Sequence, residues 1–261
     1  MGLRPPVQFY GHRIEKFHLP KDGDVEYAFW AAPGNKPSSP SQSEIDDLRK
    51  FIREGDFAID IGAYTGDSTM PIALACGGTG AVLAFEPNPI TAAVLTATAA
   101  LNPAKARIIP VPYAAAGEEG AMTFHYANPW FTNGGDRSKL PLWHRGAAFA
   151  MPVYGVEVER FVRDRHADRL PRLRYIKVDA EGNDLSVLQS IEGLLREFRP
   201  YVKAEIIKHS SSTYRVDIHR FLTKLNYKVR LVETDTLFGR PIEETEMESK
   251  KTFDIFATPE P

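Results

Sequence analysis

Two carboxylates and two glycines in the first half of the chain carry the clearest chemistry. In AIDIGAYTGDST (58–69), Asp60 and Gly62 sit where a short apolar strand ends, and Gly66 sits where a helix begins. Glycine at such points permits a tight turn and close approach of the backbone to a ligand. The amides opening the next helix, with Asp67 and Ser68 in its first turn, can hold an anion such as a carboxylate. Three readings of this loop compete. A phosphate-cradling loop needs four residues between its glycines and then Lys-Ser/Thr, whereas three stand here, followed by Asp67, which repels phosphate. A dinucleotide loop needs GxGxxG, and Tyr64 stands at the second glycine. An acidic residue followed by GxxxG suits a cofactor with a zwitterionic amino-acid end, for which Asp60 and free amides are the natural partners. Glu86 then closes the next strand in AFEPNP, 20 residues beyond Gly66, where it can accept from both ribose hydroxyls. The set points to a nucleoside-type cofactor.

Other candidates lie at later strand ends. Asp179 ends RYIKVD (174–179), Glu181 follows it, and Glu205 ends YVKAEII (201–207), with Lys208 and His209 beyond. Asp179 is the first choice for a base or orienting carboxylate. His209 is the second, because an unperturbed imidazole titrates near neutrality. The structural alternatives are a helix cap for Asp179, a cross-sheet pair with Lys177 or Lys203 for Glu205, and a solvated loop for His209. Asp179, Glu205 and His209 together could also take Mg²⁺, though no spacing demands it, and no metal site is assigned.

Strands alternating with helices must position these groups, which means a mostly parallel sheet with ligands outside its carboxyl edge. Residues 7–30 read as a β-hairpin turning at KDGD, and 32–42 as a Pro/Ser-rich linker. A helix is expected from Ser43, as N-cap, to Gly55. Strands follow at 57–61, 81–86, 107–115, 174–179, 201–207, 227–232 and 252–258, with Pro110 and Pro112 marking the third as an edge. Leu185, Leu188, Ile191, Leu194 and Leu195 recur at helical spacing, and EETEMESKK (243–251) reads as a solvated loop. The aromatic, Gly-rich stretch 116–156 interrupts the pattern as a long loop; its Trp130, Phe131, Asn133, Gly134 and Trp143 are the expected wall or lid over a substrate. The domain division is therefore 1–42 for hairpin and linker and 43–261 for the α/β domain carrying that insertion.

Composition narrows the partners. The 261 residues are 43% hydrophobic, with 32 basic against 34 acidic side chains and a net charge of −2, which removes the footprint of a general nucleic-acid binder. One cysteine, Cys76, allows neither an intrachain disulfide nor a cysteine zinc cage, and a reducing, cytoplasmic setting fits best. No apolar run reaches the roughly 20 residues of a membrane span. The hairpin and linker could reach a neighbouring subunit of a homo-oligomer.

AIDIGAYTGDST, FEPNP (85–89), VPYAAAGEEGAMTFH (111–125), YIKVDAEGNDLSVLQS (175–190) and PYVKAEI (200–206) together resemble the FkbM-type methyltransferase family, over roughly residues 43–207. The resemblance implies a Rossmann-like class I fold with a mostly parallel seven-stranded sheet and helices on both faces. It also implies S-adenosylmethionine-dependent methyl transfer, usually to oxygen, on a hydroxylated small molecule such as a natural product, sugar or lipid. The implied cofactor residues are Asp60, Gly62, Ala63, Tyr64, Thr65, Gly66, Asp67 and Ser68, then Glu86, Pro87 and Asn88, with Tyr113, Ala114 and Ala115 bordering adenine and Asp179 at the reaction centre. Tyr64 departs from the family, which commonly has Asn there. An NAD-dependent oxidoreductase and an inactive binding module remain as rivals; the missing second glycine opposes the first and the intact Asp60–Glu86 set the second.

Overall fold

The computed structural model describes residues 9–32, 35, 39–126, 134–135, 149–207, 211–233, 236–249 and 252–260. The chain opens with a hairpin, β1 (His12–Leu19) and β2 (Gly23–Trp30), followed by α1 (Gln42–Leu48). Alternation then runs β3 (Phe57–Ile61), α2 (Thr69–Cys76), β4 (Ala81–Phe85), α3 (Pro89–Ala99) and β5 (Ile108–Val111). Four strands come next: β6 (Ala114–Ala115), β7 (Gly120–Tyr126), β8 (Gly134–Gly135) and β9 (Phe149–Val156). Alternation resumes with α4 (Val158–Arg165), β10 (Leu173–Val178), α5 (Asp184–Ser190), α6 (Glu192–Phe198), β11 (Tyr201–Ile206) and α7 (Ser212–Lys224). The chain closes through β12 (Tyr227–Leu231), α8 (Glu244–Ser249) and β13 (Phe253–Pro259).

Seven strands form one sheet in the order β12-β13-β11-β10-β3-β4-β5, in which only β13 runs antiparallel to its neighbours. This is the α/β, Rossmann-like sheet expected of a class I methyltransferase fold. Strands β3 and β4 are buried along their whole length, as their unbroken apolar runs require. Their side chains alternate between two cores. Phe57, Ile59, Leu83 and Phe85 face a layer containing α4–α7, while Ala58, Val82 and Ala84 face α1 and α2. Helix α2 is apolar all round because it is wedged between sheet and α1, with all eight residues buried. Strand order reverses between β3 and β10, and a ligand cleft belongs outside the strand ends at that point.

Several local expectations are corrected. The N-cap of α1 is Ser41, whose hydroxyl accepts from the Glu44 amide at 3.1 Å, and the helix stops at Leu48 rather than near Gly55. The periodic leucines occupy two helices, α5 and α6, broken at Ile191. The acidic 243–251 segment contains α8, held because Met247 is fully buried. The described residues of the interval 116–156 are largely strand: β7 and β9 pair over seven positions in a separate sheet of order β6-β9-β7-β8. Glycines and prolines scattered through that interval hid the strand periodicity.

The hairpin is tied to the body by polar contacts at several points. Asn102 donates to the Glu26 carbonyl at 2.7 Å and accepts from its amide at 3.0 Å. Lys105 donates to the Asp22 and Asp24 carbonyls, both at 2.7 Å, and Arg49 grips the Asp22 carboxylate at 2.6 and 2.9 Å.

Candidate active site

A cleft of about 400 Å³ opens at the reversal of strand order, within the size range of small-molecule sites. The loop after β3 supplies Gly62, Tyr64, Asp67 and Ser68; the end of β4 supplies Phe85, Glu86 and Pro87. Tyr113, Ala114 and Ala115 form the wall beyond β5, and Lys177, Asp179, Ala180, Glu181 and Asn183 that beyond β10. Asn35, Phe124 and Tyr126 approach from the hairpin exit and from β7.

Gly62 has φ +82°, and a Cβ there would lie 2.0 Å from the Asp179 carbonyl oxygen. The close approach that demands glycine is therefore to the chain's own β10 exit, while the remaining face of Gly62 borders the cleft. Gly66, at φ +97°, packs on Leu95 and Thr98 of α3 and lies behind the wall.

Asp60 is placed differently from expectation. It is 0% exposed and does not line the cleft. Its carboxylate accepts from Thr69 Oγ1 at 2.6 Å and Ser68 Oγ at 3.1 Å, and its other oxygen lies 3.4 Å from Lys177 Nζ. The residue points from the middle of the sheet into the α2 side, so it holds the start of α2 and a cation rather than meeting a ligand directly. Ala63, Thr65 and Asn88 are likewise buried behind the wall; Asn88 caps α3 by accepting from the Ile90 amide at 2.9 Å.

Lys177 is the site residue that sequence reasoning passed over. It is 7% exposed, yet its ammonium lies 3.2 Å from Asp179 Oδ2 and 3.4 Å from Asp60 Oδ1, and it reaches the Gly62 carbonyl at 3.5 Å. Burial disfavours its charge, but Asp60, Asp179 and Asp67 outweigh that and raise its pKa above the ordinary lysine value. The signal was present as a lysine inside YIKV and an aspartate inside FAIDI. Two opposite charges in apolar strands that pair in register, Lys177 against Asp60, are explicable only as partners.

Glu86 is buried yet lines the cleft. Its Oε1 accepts from the Asn88 amide at 2.9 Å and Thr91 Oγ1 at 2.8 Å, and its Oε2 from the Tyr64 amide at 2.9 Å. A carboxylate offers about four acceptor sites. Three are taken by described residues, which leaves one, and the two-hydroxyl grip expected of Glu86 reduces to a single acceptance. Burial pushes its pKa up to about 7, with those three donors acting in the opposite direction.

Beyond β10, Asp184 rather than Asp179 fastens the VDAEGND loop, accepting from the Ala180 and Gly182 amides at 2.8 and 3.1 Å. Asp179 stays half-buried on the cleft wall beside Glu181, which adopts φ +49°. Glu205 stands on neighbouring β11 close to Asp179; burial first, then the Asp179 and Glu181 carboxylates, push its pKa up to about 8. Neither proposed lysine partner pairs with Glu205: Lys177 takes Asp60 and Asp179, and Lys203 takes Asp254 at 2.8 Å. Among the described residues no group of three or more His, Cys, Asp or Glu is placed to hold a metal ion. His209, Trp130, Phe131, Asn133 and Trp143 lie outside the described residues, while Gly134 pairs with Tyr126 in β8, next to the cleft.

The family model for the methyltransferase FkbM domain matches residues 60–229, which spans β3 to β12 and every wall of the cleft except Asn35. The chain belongs to the FkbM methyltransferase domain family. No curated protein matches it significantly. Among solved structures, an FkbM methyltransferase and other methyltransferases align at low identity. Methyltransferase FkbM from Methylobacillus flagellatus is 15% identical with a TM-score of 0.48; the alignment covers 81% of this chain and 50% of that one, so this chain spans half its length. A SAM-dependent O-methyltransferase from Thermotoga maritima is 13% identical, covering 94% and 77%, with a TM-score of 0.45. Aeropyrum pernix fibrillarin, solved with natively bound S-adenosyl-L-methionine, is 14% identical, covering 98% and 86%, with a TM-score of 0.46. Among the described residues of this FkbM-domain chain, no helix is long and apolar enough to cross a membrane.

The donor set of the cleft suits an adenosyl sulfonium. Four lining carboxylates, Asp67, Glu86, Asp179 and Glu181, face one lining cation, Lys177, which favours a ligand bearing positive charge. Glu86 retains an acceptor site for a sugar hydroxyl, and Ala114, Ala115 and Phe85 leave an apolar slot for a base.

Proposed function

We propose that the chain transfers a methyl group from S-adenosylmethionine to a hydroxyl of a small molecule. The single observation that carries this reading is the cleft at the strand-order reversal, where Glu86 with its spare acceptor site and the Asp179–Glu181 pair share one chamber. The bound sulfonium supplies an already activated methyl group. Glu86 accepts from a ribose hydroxyl, Tyr113, Ala114 and Ala115 border the base, and Pro87 closes the slot behind it. Asp67 and Ser68 meet the amino-acid end, and Lys177 offers an ammonium to its carboxylate. Asp60 contributes indirectly, by fixing Ser68, Thr69 and Lys177. Alignment of the reactants can supply ~7–11 kcal/mol. Asp179 receives the acceptor's hydroxyl proton, a contribution of roughly 10²–10⁴-fold. Asp67 and Asp179 count against a dinucleotide, since its pyrophosphate would lie against two carboxylates.

The test is calorimetric titration with S-adenosylhomocysteine beside NAD⁺, followed by labelled methyl donor with a panel of hydroxylated metabolites. S-adenosylhomocysteine alone is expected to bind; binding of NAD⁺ alone overturns the reading, and binding of neither points to an inactive module. Asp179→Asn is expected to keep cofactor affinity and lose about 10²-fold or more in turnover. Full turnover in that variant removes Asp179 from the chemistry.

A further inference from the structure

Tyr64 occupies a backbone conformation that tyrosine avoids. Its φ is +49°, in the left-handed region where Asn and Gly are comfortable and a bulky side chain is not. The same residue makes two contacts, one through its backbone and one through its ring. Its amide donates to Glu86 Oε2 at 2.9 Å, and its ring meets the edge of Trp30 at 6.1 Å between centroids. Trp30 is the last residue of β2, is 0% exposed, and is itself flanked by Tyr10 at 6.3 Å. One residue along, Thr65 Oγ1 is hydrogen-bonded to the Tyr27 hydroxyl, again from β2. Asn35, just past the hairpin, donates to the Trp30 carbonyl at 3.1 Å and lines the cleft. The hairpin thus touches the cofactor loop at consecutive residues, and the segment leaving it borders the chamber at Asn35, although the hairpin lies outside both the seven-stranded sheet and the segment matched by the family model.

We propose that Trp30 and Tyr27 of the N-terminal hairpin are positioning residues for the cofactor: by gripping Tyr64 and Thr65 they hold the loop after β3 in the conformation whose amide fixes Glu86. Tyrosine tolerates the left-handed conformation here because its ring has a buried aromatic partner to rest on. Asparagine at the same position would adopt that conformation without help, and would need no hairpin. Dependence on the hairpin is therefore specific to a chain carrying Tyr64.

The test has two arms, of which the affinity arm rests on the cofactor reading above and the exchange arm needs no ligand. Trp30→Leu keeps an apolar filler but removes the aromatic edge; Trp30→Phe restores an edge. In the ligand-free protein, hydrogen exchange of the Tyr64 amide is expected to rise about 5–30-fold in Trp30→Leu, matching the left-handed penalty no longer offset, with β3 amides unchanged. S-adenosylhomocysteine affinity is expected to fall by a similar factor, and Trp30→Phe to recover both. In a Tyr64→Asn background, Trp30→Leu is expected to change affinity by less than about twofold, since the coupling runs through residue 64. Equal Tyr64 exchange in wild type and Trp30→Leu overturns the proposal, as does an affinity loss of the same size in both backgrounds. Should Trp30→Leu fail to fold, Tyr27→Phe, which deletes only the hydroxyl on Thr65, is read by the same exchange criterion at Thr65 and Tyr64. If wild type binds no S-adenosylhomocysteine, the cofactor reading falls, and the exchange arm alone decides whether the hairpin sets the loop.

Discussion

Replacing Lys177 by methionine probes a charge pair buried in the middle of the sheet. The methionine chain is close in length and apolar, so packing is preserved while the cation is lost. Among the described residues Asp60, with 0% exposure, then retains only the hydroxyls of Thr69 and Ser68, and one of its oxygens has no other partner. Removing one member of a buried pair costs about 3–5 kcal/mol, because the remaining charge is left uncompensated. Asp179 loses the same cation, but its side chain is 32% accessible and water replaces most of that interaction. At about 2.1 cal/mol/K per residue, unfolding 261 residues carries an entropy near 0.5 kcal/mol/K, so Tm should drop by about 5–10 °C. Lys177→Met/Asp60→Asn, with neither charge, should regain at least half of the lost stability. Differential scanning calorimetry of the three proteins at pH 7 measures all of this. A single variant within about 1 kcal/mol of wild type, or a double variant no better than the single, would refute the account of Lys177 as the counter-charge for Asp60.

Four further outcomes follow from the same geometry. Glu86 titrates near 7 in the fold against an ordinary 4.5, so the ligand-free protein should lose stability as pH rises across that window, and Glu86→Gln should flatten the slope seen by urea titration. S-adenosylhomocysteine should bind most tightly above pH 7, where Glu86 is an acceptor-only carboxylate, and weaken by up to about tenfold per unit below it; affinity independent of pH between 5.5 and 8 contradicts the ribose role. Glu205, held up to about 8 by burial and by Asp179, should likewise make stability fall as pH climbs from 4.5 toward 8, and thermal melts of Glu205→Gln should lack that decline. Gly62→Ala should destabilise by more than about 3 kcal/mol in chemical denaturation, since the added carbon meets the Asp179 carbonyl at 2.0 Å and φ is +82°; a near-neutral result means the loop can move away from β10.

Much of the architecture is legible in the chain before it folds. FAIDI and AVLAF announce covered parallel strands because nothing polar interrupts them but Asp60, and Pro110 and Pro112 mark β5 as an edge because proline cannot donate to a ladder. The family, the switch-point location of the cleft and the place of Glu86 at a strand end follow from the same local patterns. Register and burial lie beyond such patterns. Asp60 is a site residue in type and spacing, yet the pleat directs it toward α2, where it serves Lys177 instead of the cleft; a single residue's shift along β3 would have turned it to the other face. Lys177 meets Asp60 only because β10 lies beside β3, though 117 positions separate the two in the chain. The hairpin's grip on Tyr64 arises the same way, through contacts between segments with no shared sequence signal. Local periodicity encodes what each segment is; which charged or aromatic side chains face one another is settled when the sheet assembles, since pairing and desolvation depend on neighbours that propensity does not see.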